Sequence, residues 1–270
     1  MSDIWKIYGI RYTVQPTRPA SKTFIWGDPE EETGGLDYYS WVLTSNDRAI
    51  VVDTGAGERK VKSAPGRNWL APPTDALKQL GVDPAHVEDV ILSHAHWDHV
   101  GDLGAFPKAR FYMNDLEMES ITGPDMTYHL LREPYHGDET AQIAGLVYED
   151  RLTFLSGDGT FAPGIDYTLI GGHSAGQLAL TVNTERGPVV LATDAIHFWQ
   201  EVEQERAFIV FHDLRKMLAG YRKLNRMVGG DLGRLLPGHD PLVKSRYPVV
   251  ATHADGSPFI LDLGAAPISW

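Results

Sequence analysis

The sequence of 270 residues contains no cysteine. This excludes disulfides, thiolate metal ligands, iron–sulfur clusters and a cysteine nucleophile, so any metal must be bound by nitrogen and oxygen atoms. Basic residues are also scarce, because Lys and Arg total 24 against 36 Asp and Glu, which gives a net charge of −12. That balance argues against a nucleic acid or an anionic membrane as a partner.

Long apolar runs are missing as well. No stretch reaches the roughly 18 apolar residues that a membrane span needs. Residues 1–6 lack the basic region and following apolar segment of a secretion signal. We therefore expect a cytoplasmic protein with no membrane partner. The length suits one large domain, and we expect a single domain over residues 1–270.

Histidine and aspartate are concentrated after one short apolar run. Residues 90–92 predict a buried strand, and a polar cluster begins where it ends: His94, His96, Asp98 and His99. Residues two apart on an extended chain point the same way, so His94 and His96 can address one point. Imidazole and carboxylate are ligands that Zn, Mn, Fe and Co accept, so the cluster indicates a metal site. A histidine-rich surface turn is the alternative.

Apolar periodicity and turn residues predict a mixed chain of strands and helices. Strands are expected at residues 4–12, 38–43, 49–53, 90–92, 110–113, 152–155, 166–170, 178–182, 189–192 and 234–236. Helices are expected at residues 74–80, 115–121 and 212–227. Residues 45–48 predict the turn of a hairpin between the second and third strands.

Residues 123–150 fit this pattern poorly and show no clear period. Long irregular insertions in compact enzymes are often lids or binding loops, and we expect a lid insertion here. A peripheral helical hairpin with no role in the chemistry is the alternative.

Three further polar residues follow predicted strands. His173 lies in the glycine-rich stretch 171–177, Asp194 follows the strand at 189–192, and His239 follows the last strand. The strands before Asp194 form a predicted hairpin, so the chain returns to the edge from which it left. His173 and Asp194 are therefore expected at the same edge of a sheet. Asp53, also at a strand end, either closes a turn or holds a metal ligand in place.

In this order the polar residues resemble the signature of the metallo-β-lactamase superfamily, HxHxDH followed by His, Asp and His. The resemblance covers residues from about 50 to 240 and includes Asp53-Thr54-Gly55, which matches a motif common in the superfamily. It implies an α/β fold class, the αβ/βα sandwich, in which two mixed β-sheets pack face to face with helices outside.

The resemblance also implies two divalent metal ions, with zinc as the default and Mn, Fe or Co as alternatives. Two metals activate a shared water as hydroxide, which attacks a carbonyl or phosphoryl group, and Asp98 or Asp194 passes the proton to the leaving group. The implied ligands are His94, His96 and His173 for one metal, Asp98, His99 and His239 for the other, and Asp194 between both.

Length and spacing most resemble the N-acyl homoserine lactonase branch of the superfamily. This implies a hydrolase that opens a small lactone or a related cyclic ester or amide, with a small molecule as its partner. A thioester hydrolase of the glyoxalase II type is an alternative, but that type normally has a C-terminal helical domain, and only 31 residues follow His239. A mononuclear iron dioxygenase of sulfur compounds is the redox alternative. A homodimer stays open as the assembly state.

One position departs from that branch. Its members carry a tyrosine three residues after the bridging aspartate, where it contacts the substrate carbonyl, and this chain has His197. Histidine can donate a hydrogen bond or relay a proton, so His197 is predicted to take part in catalysis and substrate binding. A histidine packed in the core is the alternative. Phe198 and Trp26 are predicted near the mouth of the site, which favours an apolar or ring-shaped substrate.

Overall fold

Two β-sheets pack face to face in the computed structural model, which describes residues 3–46 and 48–268. Residues 1–2 of the N-terminal stretch and Asp47 of the predicted hairpin turn lie outside the described residues. The strands are β1 (Lys6–Gln15), β2 (Leu36–Ser45), β3 (Arg48–Val52), β4 (Asn68–Trp69), β5 (Asp89–Ile91), β6 (Arg110–Asn114), β7 (Leu152–Leu155), β8 (Gly159–Ala162), β9 (Ile165–Leu169), β10 (Leu178–Thr184), β11 (Gly187–Thr193), β12 (Leu235–Pro237), β13 (Val249–Thr252) and β14 (Pro258–Asp262).

The first sheet has the strand order β13-β14-β1-β2-β3-β5-β6-β7, with β4 paired to β1. The second has the order β12-β11-β10-β9-β8. Both sheets are mixed, because β3, β5, β6 and β7 run parallel, as do β11 and β12, while the other pairs are antiparallel. The helices are α1 (Glu58–Ser63), α2 (Pro73–Gln79), α3 (Asp115–Ile121), α4 (His129–Arg132), α5 (Gly137–Tyr148), α6 (Trp199–Glu203), α7 (Leu214–Met227) and α8 (Val243–Arg246).

Each sheet has apolar side chains on both faces, so one face packs against the other sheet and the opposite face packs against helices. Trp41 of the first sheet and Leu180 of the second belong to the core between the sheets. Ile121 and Ile143, from α3 and α5, cover the outer face of the first sheet, and Tyr221 of α7 covers that of the second. Strands covered on both faces carry near-continuous apolar runs. The predicted αβ/βα sandwich is confirmed.

The structure refines the predicted elements at several ends. Helix α3 has the predicted bounds, because Asn114 caps it by accepting a hydrogen bond from the backbone N–H of Leu116 at 3.0 Å. Helix α7 begins two residues later than predicted, since the carboxylate of Asp213 accepts from the N–H of Lys216 and caps it. Residues 123–150 contain α4 and α5, and β8, β13 and β14 were not predicted.

The last strand lies beside the first. Strand β14 pairs antiparallel with β1, with Tyr8 opposite Asp262, and β13 completes this edge of the sheet. Within residues 3–46 and 48–268, no helix is both long and apolar enough to cross a bilayer.

Candidate metal centre and the cavity above it

The seven predicted metal ligands meet at one edge of the sandwich. His94 lies in the loop after β5, Asp194 follows β11 directly, and His239 comes two residues after β12. His173 lies in the connection between β9 and β10. All seven side chains are buried, with exposed fractions between 0 and 7%. The carboxyl ends of β5, β11 and β12, together with the connection between β9 and β10, therefore bring ligands together from four parts of the chain.

The ligand atoms form two adjacent groups, and within each group they lie within 4.8 Å of one another: His94, His96 and His173 in the first, and Asp98, His99, Asp194 and His239 in the second. Oδ2 of Asp194 lies 4.0 Å from Nε2 of His94 and 3.7 Å from Nε2 of His173. The same oxygen lies 3.3 Å from Nε2 of His99 and 3.0 Å from Nε2 of His239. Asp194 thus lies between the two groups.

Two buried atoms at the centre fit a cation. Nε2 of His94 and Oδ1 of Asp194 have no hydrogen-bond partner among the described residues. Buried polar atoms rarely stay unsatisfied, because each lost partner costs about 1–3 kcal/mol. A metal ion accepts the lone pairs of both atom types.

The outward nitrogens of two ligands fix their tautomers. Nδ1 of His173 lies 3.0 Å from the carbonyl oxygen of Val210, and Nδ1 of His239 lies 2.9 Å from that of Asp37. A carbonyl oxygen only accepts, so each Nδ1 carries the hydrogen and donates it. Each Nε2 then keeps its lone pair for the centre, as in metal sites whose histidines are oriented by a second partner.

Electrostatics favour neutral imidazoles at three of the ligands, but at His99 the carboxylates of Asp194, Asp98 and Asp53 outweigh burial and raise the pKa well above its usual range. Burial, above all, lowers the pKa of His94, His96 and His173 well below the usual range. Burial opposes ionisation of Asp194 too, but the nearby imidazoles of His239 and His99 outweigh it and hold the pKa of that carboxyl well below its usual range. Neutral imidazole and ionised carboxylate are the ligand forms of such sites.

Asp53 holds one ligand and the start of the ligand loop. Its Oδ1 accepts from the backbone N–H of Ser93 at 2.7 Å, and its Oδ2 accepts from the hydroxyl of Ser93, also at 2.7 Å. Oδ2 also lies 2.7 Å from Nδ1 of His99. The backbone of Asp53 has φ of 60°, a conformation that Asp tolerates better than most residues. Of the two interpretations from the sequence, the contact with a ligand is present.

Glu117 is a further buried carboxylate, which the sequence analysis missed. It accepts from the backbone N–H of Ala95 at 3.0 Å and from that of Gly176 at 2.8 Å, so it ties the two ligand loops together. Burial raises the pKa of Glu117 in spite of these donors. The available signal was an acidic residue on the same face of a predicted helix as apolar Ile121, four positions on.

The absence of a side chain at Gly238 leaves room for the carboxylate of Asp194, which lies between the two ligand groups. A Cβ at this position would lie 2.2 Å from Oδ1 of Asp194. No side chain larger than hydrogen fits there without displacing Asp194, so the approach of His239 depends on this glycine.

His197 faces the centre from the side. Its Nε2 lies 3.3 Å from Oδ2 of Asp194, its Nδ1 lies 3.2 Å from Oε1 of Glu201, and its ring stacks on Phe208 with centroids 3.5 Å apart. Glu201 also accepts from the backbone N–H groups of residues 197 and 198. Burial lowers the pKa of His197, but the charges of Glu201 and Asp194 outweigh it and raise the pKa to about 9.

A cavity of about 370 Å³ opens above the ligands. His197 and Phe208 line it, but the predicted contacts Trp26 and Phe198 do not. Trp26 is fully exposed, and Phe198 is buried with its ring 5.5 Å from that of Phe24. The prediction that they lie at the mouth is wrong, because Phe24, not Trp26, turns inward and Phe198 is used in packing against it.

A second, more apolar cavity of about 250 Å³ meets the centre at His96 and His173. Part of its wall comes from residues 130–135, within the irregular segment, and part from residues 209–212. The segment 123–150 therefore supplies wall residues to both cavities, since Glu133 and Pro134 line each of them.

Residues 33–239 match the family model of the metallo-beta-lactamase superfamily. The N-acyl homoserine lactonase AiiA of Bacillus thuringiensis subsp. kurstaki is 27% identical over 219 residues, which cover 76% of this chain and 82% of the relative. The N-acyl homoserine lactonase AttM of Azorhizobium caulinodans is 28% identical over 244 residues, which cover 83% and 80%.

Solved structures share the fold. A quorum-quenching N-acyl homoserine lactone lactonase superposes with a TM-score of 0.74 at 24% identity, covering 95% of this chain and 99% of that one. The hydrolase AbOPH superposes with a TM-score of 0.69 at 19% identity, covering 97% of each chain. The family match spans most of the chain, including every residue of the two ligand groups, and the chain belongs to the metallo-beta-lactamase superfamily.

Proposed function

We propose that this chain is a dinuclear metal-dependent hydrolase that opens a small lactone, with N-acyl homoserine lactones as the first substrates to test. The convergence of seven buried histidine and aspartate side chains in two groups around one shared carboxylate carries the proposal. The curated relatives described above, which the chain matches over most of their length, are N-acyl homoserine lactonases.

Two divalent metal ions are the proposed cofactors, held by the ligand sets predicted from the sequence. We propose zinc as the metal, because its usual ligands include histidine nitrogens and aspartate oxygens. Mn, Fe and Co accept the same ligands. Two such ions supply an activated water and a polarised ester carbonyl when they are bound.

The residues around the ions are proposed to handle the proton and the acyl oxygen. Oδ2 of Asp98 lies 3.5 Å from Nε2 of His239 at the cavity floor, where it can receive a proton and pass it to the ring oxygen that leaves. Both nitrogens of His197 face carboxylates, so both carry hydrogen, and Nε2–H can donate to an oxyanion beside Asp194. Glu201 keeps that ring in place.

The whole chain is proposed to act as one catalytic domain, with residues 123–150 as a substrate-facing insertion. This is supported by the positions of Glu133 and Pro134 in the walls of both cavities. Residues in such an insertion would exclude water from the site and select the group attached to the lactone ring.

The test combines metal analysis with a proton-release assay on lactones, cyclic amides and thioesters. We expect two metal ions per chain and proton release with one class of lactone. Asp98→Asn and His173→Ala should each lose turnover by more than about a hundredfold, because loss of a partner of a metal ligand alone typically costs about 10- to 100-fold. His86→Ala is the matched control, since this histidine is exposed and paired only with Asp83.

Other outcomes would replace the proposal. Full activity after complete metal removal would exclude the mechanism. Proton release with thioesters alone would favour a thioester hydrolase, and one iron per chain with oxygen uptake on a thiol would favour the dioxygenase.

A further inference from the structure

The wall of the cavity above the metal centre carries two arginines. Arg18 and Arg67 line it together with Lys60 and Glu133. The whole chain has a net charge of −12, so the composition alone would not place guanidinium groups here. Two positively charged side chains beside a site that binds metal cations need a separate explanation.

Arg67 is held close to the ligands by two aromatic rings. Its Nε donates to the hydroxyl of Tyr38 at 3.0 Å, and its Cζ lies 4.5 Å from the ring centroid of Trp97. Trp97 lies between His96 and Asp98 in the HxHxDH motif, and the ring of Tyr38 packs on that of His239 with centroids 4.8 Å apart. Both rings that hold the guanidinium therefore belong to residues next to metal ligands, Trp97 in sequence and Tyr38 in space.

Apart from Asp98 and Asp194, whose charges face the metal site as ligands, the charges of the wall leave one cation unbalanced. Lys60 is neutralised, because its Nζ lies 3.2 Å from Oδ1 of Asp138 and 2.5 Å from Oε1 of Glu139. Glu133 can balance only one of the two arginines. Arg18 contacts an amide oxygen of Gln15 and the backbone oxygen of Lys22, which carry no charge, and its buried Nε has no hydrogen-bond partner among the described residues.

We propose that Arg67, assisted by Arg18, binds a carboxylate on the substrate at the end remote from the scissile ester. This inference rests on the lactonase function proposed above and narrows it to lactones that carry one negative charge, which the neutral N-acyl homoserine lactones do not. A planar guanidinium pairs with a carboxylate through two parallel hydrogen bonds, and with Nε used by Tyr38 its Nη edge remains for this. A single anion also matches the single unbalanced charge of the wall.

The experiment compares two lactones that differ only in charge. One is a γ-butyrolactone with a short side chain ending in a carboxylate, and the other has the same chain ending in a primary amide. With the metal-loaded enzyme we expect kcat/KM to favour the carboxylate by about ten- to a hundredfold, the value of hydrogen bonds to a charged group. The difference should lie mainly in KM, because the contact is remote from the reacting atoms.

Substitutions assign the preference to the arginine. In Arg67→Met the ratio of the two kcat/KM values should fall to about one, and in Arg67→Lys, which keeps the charge but loses the fork, it should be intermediate. Arg222→Met is the matched control, because Arg222 is exposed on α7 and paired with Glu205, and it should keep the wild-type ratio. Thermal unfolding of each variant shows that the fold is retained.

Equal kcat/KM values for both lactones in the wild type, or an unchanged ratio in Arg67→Met, would overturn the inference while leaving the lactonase proposal intact. If neither lactone is opened, the wider panel of lactones decides about the lactonase proposal, and calorimetric titration with the two ring-opened compounds decides whether Arg67 binds the carboxylate. Tighter binding of the carboxylate, lost in Arg67→Met, would support it, and equal binding would overturn it.

Discussion

The metal centre and the cavity wall above it are built from different parts of the chain. The ligands sit at strand ends or in the loops that follow them, are almost fully buried, and several are held by a second partner such as Asp53 or Asp37. Much of the wall comes from connections and short helices, where Arg67 is partly buried and Glu133 is exposed. The difference indicates that the sandwich fixes the reaction class and that the loops select the substrate, which substitutions in the two regions can test.

Outside the metal ligands themselves, the largest effect is expected at Asp53, which supports the centre. Asp53→Asn keeps the shape of the side chain but removes the charge that faces Nδ1 of His99 at 2.7 Å. Loss of such a partner typically lowers metal affinity about 10- to 100-fold. Competition between the protein and a chelator of known affinity measures the change.

Asp83→Asn is the control for this prediction. Oδ2 of Asp83 lies at the same distance, 2.7 Å, from Nδ1 of His86, but this pair is exposed on the surface. We expect its metal affinity to equal that of the wild type. Wild-type affinity in Asp53→Asn would show that the ligands do not depend on their supporting partners, and the comparison between the two regions would lose its basis.

An intermediate effect is expected at Glu117, which joins the loops of the centre. In Glu117→Gln one carboxylate oxygen becomes an NH₂ group, so the N–H of Ala95 or of Gly176 loses its acceptor. We expect the free energy of unfolding to fall by about 1–3 kcal/mol, as for a buried unsatisfied donor.

Urea denaturation measures this loss, with Glu149→Gln as the control. Glu149 is exposed, with only a 3.4 Å contact to Arg151, so its replacement should change the free energy of unfolding by less than about 0.5 kcal/mol. Equal stabilities of the two variants would mean that the loops keep their positions without Glu117.

The smallest effect is expected at Trp26. Its side chain is fully exposed and does not line the cavity, so Trp26→Ala should leave kcat/KM for the best lactone within about twofold of the wild type. Steady-state kinetics test this. A loss in kcat/KM of more than about tenfold would mean that Trp26 becomes part of the cavity wall when substrate binds. The wall would then be larger than the structure indicates.

The sequence predicted the centre better than the wall for a physical reason. His94, Asp194 and His239 follow apolar strands directly, and a local pattern is enough to locate a strand end. Glu117 and Arg67 act through contacts with residues far away in sequence, such as Gly176 and Tyr38, which no local pattern shows.

The error at Trp26 has a related cause. An aromatic residue within a polar connection can turn inward or outward at almost equal local cost, and the packing of Phe24 on Phe198 decides it here. The same limit applies to β14, which pairs with a strand more than two hundred residues earlier, and to β13, which pairs with β14.

That pairing between β14 and β1 also sets an order of events during synthesis. A chain made from its N-terminal end exposes β1 early, yet the strand that covers one side of β1 leaves the ribosome more than two hundred residues later. Until β14 has been made, this edge of β1 stays open, and open sheet edges can pair with other chains. Chaperones that shield this edge are therefore expected to raise the yield of folded protein.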